Sequence, residues 1–122
     1  LTGRALDRAF DEADVALDSL GLHRLELPSS SSLKAREYCA RGIPFVMAGE
    51  DSDFEEPNPF VLQVRSDETP LDMSALRAFV ARTSASPNLS ARMRAYAQDR
   101  LTWDTKLAPL VEFLHREKAQ AP

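Results

Sequence analysis

The sequence contains a single cysteine, Cys39, and this scarcity excludes two classes of site. One cysteine cannot form an internal disulfide, and no histidine or second cysteine lies near it at the spacing of metal ligands. The sequence therefore indicates neither a zinc site nor a redox dithiol, and we predict no metal site.

Long apolar runs and blocks of like charge are also missing. No stretch approaches the roughly 20 apolar residues that a membrane helix needs, and residues 1–10 lack the charged-then-apolar layout of a secretory signal. We therefore expect a cytoplasmic protein. The 15 basic residues are scattered and the formal net charge is -4, whereas nucleic-acid binding depends on a concentrated positive surface. Nucleic acid is thus not an expected partner.

The composition that remains is typical of one globular domain. Hydrophobic residues make up 43% and charged residues 28% of the 122 positions, which is ordinary for a globular protein. A chain of this length can bury roughly two-thirds of the surface that its unfolded form exposes. We therefore predict that residues 1–122 form a single domain.

Helices and apolar strands alternate in the first half of the chain. Apolar residues recur at helical spacing over residues 4–12, and the apolar-rich residues 14–20 predict a short buried strand. A serine-rich loop over residues 22–32 leads into a helix that ends at Gly42. Residues 43–49, IPFVMAG, are nearly all apolar, as expected of a strand buried on both faces. This succession indicates a parallel sheet.

The second half adds one strand and then becomes helical. An acidic, proline-broken loop over residues 50–59 precedes a third strand over residues 60–64. Three helical stretches follow, over residues 71–83, 89–101 and 102–118. We predict an α/β fold: a partial doubly wound (Rossmann-like) parallel sheet of about three strands, with flanking helices and a helical C-terminal tail. Because complete doubly wound domains carry more strands, we expect further strands upstream of residue 1.

The serine-rich loop has the position of an anion site. In open α/β sheets, ligands bind beyond the carboxyl ends of the strands, where a loop enters a helix whose first N–H groups lack partners. The backbone N–H groups of Ser31, Ser32 and Leu33 are candidates for holding a phosphate, helped by the helix dipole. Ser30 and Lys34 flank them. The alternative is that the serines only cap the helix and that Lys34 is solvated.

Glu37 is a second candidate ligand. It is predicted to share a half-buried helix face with Leu33 and Ala40, where a carboxylate needs hydrogen-bond donors. The two hydroxyls of a ribose would supply them, at roughly 1.5 to 3 kcal/mol for each hydrogen bond to a charged acceptor. The alternative is an exposed glutamate, or one paired with Arg36 or Arg41.

Residues 32–46, SLKAREYCARGIPFV, resemble a motif of a known family. The motif is that of retaining glycosyltransferases of the GT-B fold, the group 1 type, in which a helix carrying a glutamate is followed by small-x-Gly-x-Pro and a buried strand. The resemblance implies that Glu37 binds the ribose of a nucleoside-diphosphate sugar. It also implies that Ser31, Ser32 and Leu33 hold the diphosphate, with Ser30 and Lys34 in the same site.

The resemblance implies a sugar-nucleotide-binding portion of an enzyme that transfers a hexose-type sugar to a glycan or lipid-linked acceptor, as in polysaccharide biosynthesis. It implies no cofactor and no metal, and we assign no catalytic residue. The family's acceptor-binding N-terminal domain and its phosphate-neutralising basic residues are expected upstream, so the isolated chain is expected to be inactive. With a lipid-linked acceptor, the full-length protein is also a candidate for peripheral membrane association.

The chain departs from the common motif at one position, and other polar residues are weaker candidates. Ser29 stands where the common form has a second glutamate that contacts the donor sugar, so the sugar stays open. His23 and Arg24 lie in the loop after the first strand and are further candidates for contact with donor or acceptor. The acidic residues 51–56 come at the end of a strand where carboxylates can act in catalysis, but a solvated loop is the favoured interpretation.

The last helix supports a rival hypothesis. Trp103, Leu107, Leu110, Val111 and Leu114 give it one apolar face, which either packs on the domain's own sheet or faces a partner. In the resembling family the terminal helices help to hold the two halves together. The rival is a non-enzymatic α/β protein-interaction module, in which the serines only cap a helix and this face binds another protein.

Overall fold

The computed structural model describes residues 2–55 and 57–120, which form five α-helices and three strands. In chain order these are α1 (Arg4–Asp11), β1 (Ala16–Leu17), α2 (Leu33–Arg41), β2 (Phe45–Ala48), β3 (Val61–Val64), α3 (Met73–Ser84), α4 (Leu89–Arg100) and α5 (Trp103–Gln120). A short 3-10 helix, Leu22–Leu25, lies between β1 and α2. The predicted helices and strands are therefore confirmed in number and order within the described ranges.

The three strands form one parallel sheet in the order β1-β2-β3. Ala16 is paired with Phe45, and Phe45 is paired in turn with Val61. The α/β architecture with a three-stranded parallel sheet is thus confirmed. The prediction of a strand over residues 14–20 was too long, because the chain leaves the sheet after Asp18, whose N–H donates to Val46 O at 2.9 Å. The side chain of Asp18 accepts a hydrogen bond from Ser32 Oγ.

β2 is buried on both of its faces, as its uninterrupted apolar sequence predicts. Phe45 and Met47 belong to a hydrophobic cluster that also contains residues of α2 and α4, whereas Val46 and Ala48 point to the opposite face and are equally buried. Six aromatic rings pack in and against the cluster, with neighbouring centroids 5.1 to 6.0 Å apart: Phe10, Tyr38, Phe45, Phe54, Tyr96 and Phe60.

α2 begins at a serine cap and ends at a left-handed glycine, both as predicted. Ser32 Oγ accepts from Lys34 N at 3.2 Å, and Gly42 has φ 81°. The buried side of the helix consists of Ala35, Tyr38 and Cys39.

One expectation about the faces of α2 was wrong. The stripe of Leu33, Glu37 and Ala40 is exposed, with Leu33 at 78%. The reason is that Tyr38 and Cys39 take the places against the sheet and α4, which turns the opposite stripe outward. Glu37 is therefore not on a half-buried face.

α5 carries an apolar stripe that nothing in the described chain covers. None of its described residues is buried, and Trp103, Leu107, Leu110, Val111, Phe113 and Leu114 are all exposed. The interpretation that this face packs on the domain's own sheet is therefore wrong. The start of the helix is attached by an ion pair between Lys106 and Asp53. Among the described helices, none combines the length and apolar character needed to traverse a bilayer.

We predict that Gly42→Ala destabilises the fold strongly. A Cβ at this position would lie 2.8 Å from Ser90 Cβ and 2.8 Å from its carbonyl oxygen, and the positive φ is itself unfavourable for alanine. We expect the free energy of unfolding to fall by about 2 to 4 kcal/mol, measured by urea denaturation. Gly21 has φ -102° and open space around it, so Gly21→Ala is the matched control and should change stability by less than about 1 kcal/mol. Equal effects of the two substitutions would contradict the packing described for Gly42.

Candidate functional site

The serine-rich loop is attached to the carboxyl edge of the sheet. Ser29 and Glu50 form a parallel bridge beyond the end of β2. Ser30 N donates to Glu50 O at 2.9 Å, and Glu50 N donates to Pro28 O at 3.1 Å. The start of α2 therefore lies where ligands bind in open α/β sheets.

A cleft of about 810 Å³ lies beside this loop. We call it the serine cleft. One wall is the loop itself, at Ser29, Ser30 and Ser31, and the other is formed by Glu50, Asp51 and Ser52, with Phe54, Glu55 and Gln63 completing it. Its volume falls within the range of about 300 to 1,000 Å³ that is usual for small-molecule sites.

Three of the backbone donors that were predicted for the anion site remain free at the start of α2. Among the described residues, the N–H groups of Ser31, Ser32 and Leu33 have no hydrogen-bond acceptor, as helix geometry leads one to expect. Ser30, also predicted to take part, differs because its N–H is already bonded to Glu50. The N–H of Lys34 is bonded to Ser32 Oγ. The candidate anion site therefore reduces to three N–H groups.

A buried carboxylate lies next to these donors. The side chain of Asp18 is only 5% exposed; it accepts a hydrogen bond from Ser32 Oγ at 2.7 Å, and Lys34 Nζ lies 3.5 Å from it. Ser32 thus serves both as helix cap and as donor to Asp18, and part of the charge of Lys34 is balanced by Asp18. In the sequence, Asp18 is an aspartate inside the apolar run of residues 14–20, and it is a weaker candidate for acid–base chemistry than the acidic loop; its bond to the helix cap was not predicted.

Arg36 connects the two walls of the serine cleft. Its guanidinium donates to both oxygens of Asp51, at 2.5 and 2.8 Å, and to Asp53, while Nη1 also donates to Ser32 O at 3.0 Å. The hydrogen bond to Asp51 raises the pKa of Arg36. Burial raises the pKa of Asp53, but hydrogen bonds from Lys106 and Arg36 outweigh it and hold that pKa below its ordinary value. Sequence analysis named Arg36 only as an alternative partner of Glu37.

Glu37 lies outside the serine cleft, on the exposed stripe of α2. Its side chain is 44% exposed and pairs with Arg41 at 3.0 Å, and Arg41 also binds Asp7 at 3.0 Å. The pairing matches the alternative that the sequence left open. Glu37 follows Ser32 by five residues, or about 7.5 Å along the helix axis. One extended ligand can therefore reach both the free N–H groups at the start of α2 and the Glu37 carboxylate.

His23 and Arg24 belong to a neighbouring cleft of about 550 Å³. Both bind Glu68: His23 Nε2 lies 3.0 Å from Oε1, and Arg24 makes two hydrogen bonds of 2.8 and 2.7 Å. The hydrogen bond from Arg24 is the largest influence that lowers the pKa of Glu68 to about 2. Gln63 lines both clefts and separates this group from the serines.

The described residues contain no group of three His, Cys, Asp or Glu side chains arranged to hold a metal ion. Asp51 and Asp53 of the acidic loop are bound to Arg36, and Glu56 lies outside the described residues. Burial raises the pKa of the Cys39 thiol to about 11, so it is not a nucleophile at neutral pH.

We predict that Ser32→Ala destabilises the chain and Ser31→Ala does not. The first substitution removes both the helix cap and a hydrogen bond to the buried Asp18, which together should lower the free energy of unfolding by about 1 to 3 kcal/mol. The Ser31 side chain makes no hydrogen bond within residues 2–55 and 57–120, so its loss should cost less than about 0.5 kcal/mol. Chemical denaturation of both variants measures the difference. Equal stabilities would show that the bond to Asp18 contributes nothing.

The chain was also compared with known proteins. No protein-family model matches it, and no curated protein or solved structure matches it either.

Proposed function

We propose that the chain is the sugar-nucleotide-binding portion of a glycosyltransferase, acting with a nucleoside-diphosphate sugar as donor. The observation that carries the proposal is the start of α2. Three free N–H groups lie there at the carboxyl edge of a parallel sheet, beside a cleft of about 810 Å³. Glu37 follows on the exposed side of the same helix.

In this proposal the diphosphate is held by the N–H groups of Ser31, Ser32 and Leu33. The positive end of the helix dipole favours the negative charge at that place. Lys34 adds a cation that is half exposed, at 52%. The walls of the cleft carry Glu50 and Glu55, so most of the attraction for a phosphate comes from the helix end.

Glu37 is proposed to bind the ribose hydroxyls. It is already held by Arg41, whose guanidinium fixes the position of the carboxylate on the exposed side of the helix. A ribose that donates two hydrogen bonds to a charged acceptor is a good match for this group. The exposed stripe containing Leu33 and Ala40 supplies an uncrowded surface for the nucleoside.

The chemical contribution of the chain is stabilisation of the departing nucleotide. Donors fixed in the fold stabilise the charge that develops on the diphosphate as the glycosidic bond breaks, without reorganisation at the moment of reaction. The acceptor, a glycan or a lipid-linked saccharide, is proposed to bind an additional N-terminal domain, which also supplies further cations. We therefore assign no catalytic residue here and expect the isolated chain to be inactive.

We also propose that the three strands are part of a doubly wound, Rossmann-like sheet. A doubly wound sheet has the classical order 3-2-1-4-5-6, in which its last three strands are neighbours in chain order. The order β1-β2-β3 is compatible with these three strands. In a Rossmann-like domain of this type the remaining strands would pair with the open edge of β1. Such an enzyme of polysaccharide biosynthesis would work in the cytoplasm, with peripheral membrane contact where its acceptor is lipid-linked.

A second candidate function rests on α5. Its uncovered apolar stripe favours a protein-interaction module, because exposed apolar patches of this kind mark binding surfaces. In that case Ser32 is only a cap, and neither the serine cleft nor Glu37 is needed for any ligand.

We predict that one of UDP, GDP and ADP binds the chain and that Glu37→Ala weakens its binding by about 10- to 100-fold, which corresponds to loss of charged hydrogen bonds. Isothermal titration calorimetry measures the affinities. Asp7→Ala is the matched control, since Asp7 is the other carboxylate bound to Arg41 and lies on α1; its affinity should equal that of the wild type. Absence of binding by all three nucleotides would overturn the proposal and leave the interaction module.

A further inference from the structure

We propose that Arg36 is the positioning residue of the serine cleft: it holds the acidic turn, residues 51–54, against the serine-rich loop and so sets the distance between the two walls. This inference rests on the proposed function for its ligand, but the geometry that carries it is independent of any ligand. The Arg36 side chain is 16% exposed and the Asp51 side chain 1%. Arg36 does not line the serine cleft but lines a separate surface pocket with Glu37 and Ala40, so we assign it a positioning role and no contact with the diphosphate.

One guanidinium joins both walls. On the loop side it donates to Ser32 O, the carbonyl of the helix cap. On the turn side it donates to Asp51 and Asp53, and its carbon lies 5.5 Å from the centre of the Phe54 ring. Ser32 directly follows Ser31, which lines one wall of the cleft, and Phe54 lines the other. Arg36 therefore links the two walls through Ser32 and the acidic turn.

The acidic turn depends on this arrangement for its own shape. Asp51 Oδ1 accepts from Asp53 N at 3.0 Å, and Asp51 O accepts from Phe54 N at 2.9 Å. With Arg36 in place, the buried Asp51 carboxylate is both neutralised and oriented. Lys106 supplies a second cation to Asp53, so Arg36, Lys106, Asp51 and Asp53 are balanced in charge.

A lysine cannot replace Arg36 in this role. The guanidinium presents a planar fork that reaches two carboxylates and a carbonyl at once, whereas an ammonium is a single point of charge on a flexible stem. Arg36→Lys therefore keeps the charge balance of the group and loses the geometry. The substitution therefore tests the hydrogen-bond geometry of Arg36 separately from its charge.

The test uses Arg36→Lys, with Arg41→Lys as matched control, because Arg41 is the other arginine of α2 that is bound by two carboxylates. Two quantities are measured on the 122-residue chain: the affinity for whichever of UDP, GDP and ADP binds the wild type, and the amide exchange rates of Asp53 and Phe54 in the free protein. Both are recorded well below the melting temperature of each variant.

We expect Arg36→Lys to weaken nucleotide binding by about tenfold, which is the effect of losing a side chain that orients the ligands of a metal site. We also expect it to speed amide exchange at Asp53 and Phe54. Arg41→Lys should leave the two exchange rates unchanged. Faster exchange with unchanged affinity would mean that Arg36 only stabilises the fold, and unchanged exchange would mean that it does not hold the turn; either result overturns the inference. If the wild type binds no nucleotide, the proposed function fails, and the exchange rates alone decide whether Arg36 sets the cleft.

Should Arg36→Lys fold poorly, Asp53→Asn provides the second variant. It removes one carboxylate from the guanidinium while Asp51 keeps its two hydrogen bonds, so the turn should loosen less and the affinity should fall by a smaller factor than in Arg36→Lys. An affinity equal to that of the wild type, together with unchanged exchange at Phe54, would contradict the role assigned to the Arg36 group.

Discussion

The burial of β2 on both faces is the constraint on which the rest of the arrangement depends. A strand whose side chains are apolar on both sides must have both faces covered by other elements and both edges paired with other strands. β1 and β3 supply the pairing. α2 runs into β2 through Gly42, which packs against Ser90 of α4. Because α2 and β2 then run in opposite directions, the start of the helix is brought to the end of the strand. The serine-rich loop and the acidic turn face each other for this reason.

Several of the charges at that edge are paired within the protein. Asp18 is met by Lys34 and Ser32, and Asp51 and Asp53 are met by Arg36 and Lys106. These side chains are engaged with one another, whereas Glu50 and Glu55 in the cleft walls add negative charge. Among the described residues of this edge, the N–H groups at the start of α2 are donors that have no acceptor. A ligand for this edge must suit fixed backbone donors, which is the property of a phosphate group.

The fold was more predictable from the sequence than the site was. Local signals determine helix ends and buried strands, and β2, the Ser32 cap and Gly42 were all foreseen from them. Burial of a particular helix face depends on what it meets: Glu37 shares its stripe with Leu33, but Tyr38 and Cys39 occupy the core. Likewise, the partners of Asp18 and Arg36 are 14 and 15 residues away, and no periodic pattern relates them. The apolar stripe of α5 was predicted from the sequence. That no other described part of the chain packs against it could be seen only in the structure.

The most direct measurement of the central claim is a map of amide chemical shifts in the nitrogen–proton correlation spectrum as a nucleoside diphosphate is added. The account predicts that the largest changes fall on the amides of Ser31, Ser32 and Leu33, with smaller ones near Glu37, because the free N–H groups at the start of α2 take the phosphate. Changes confined to the cleft of His23 and Glu68 or to α5, or no changes at saturating nucleotide, would contradict it.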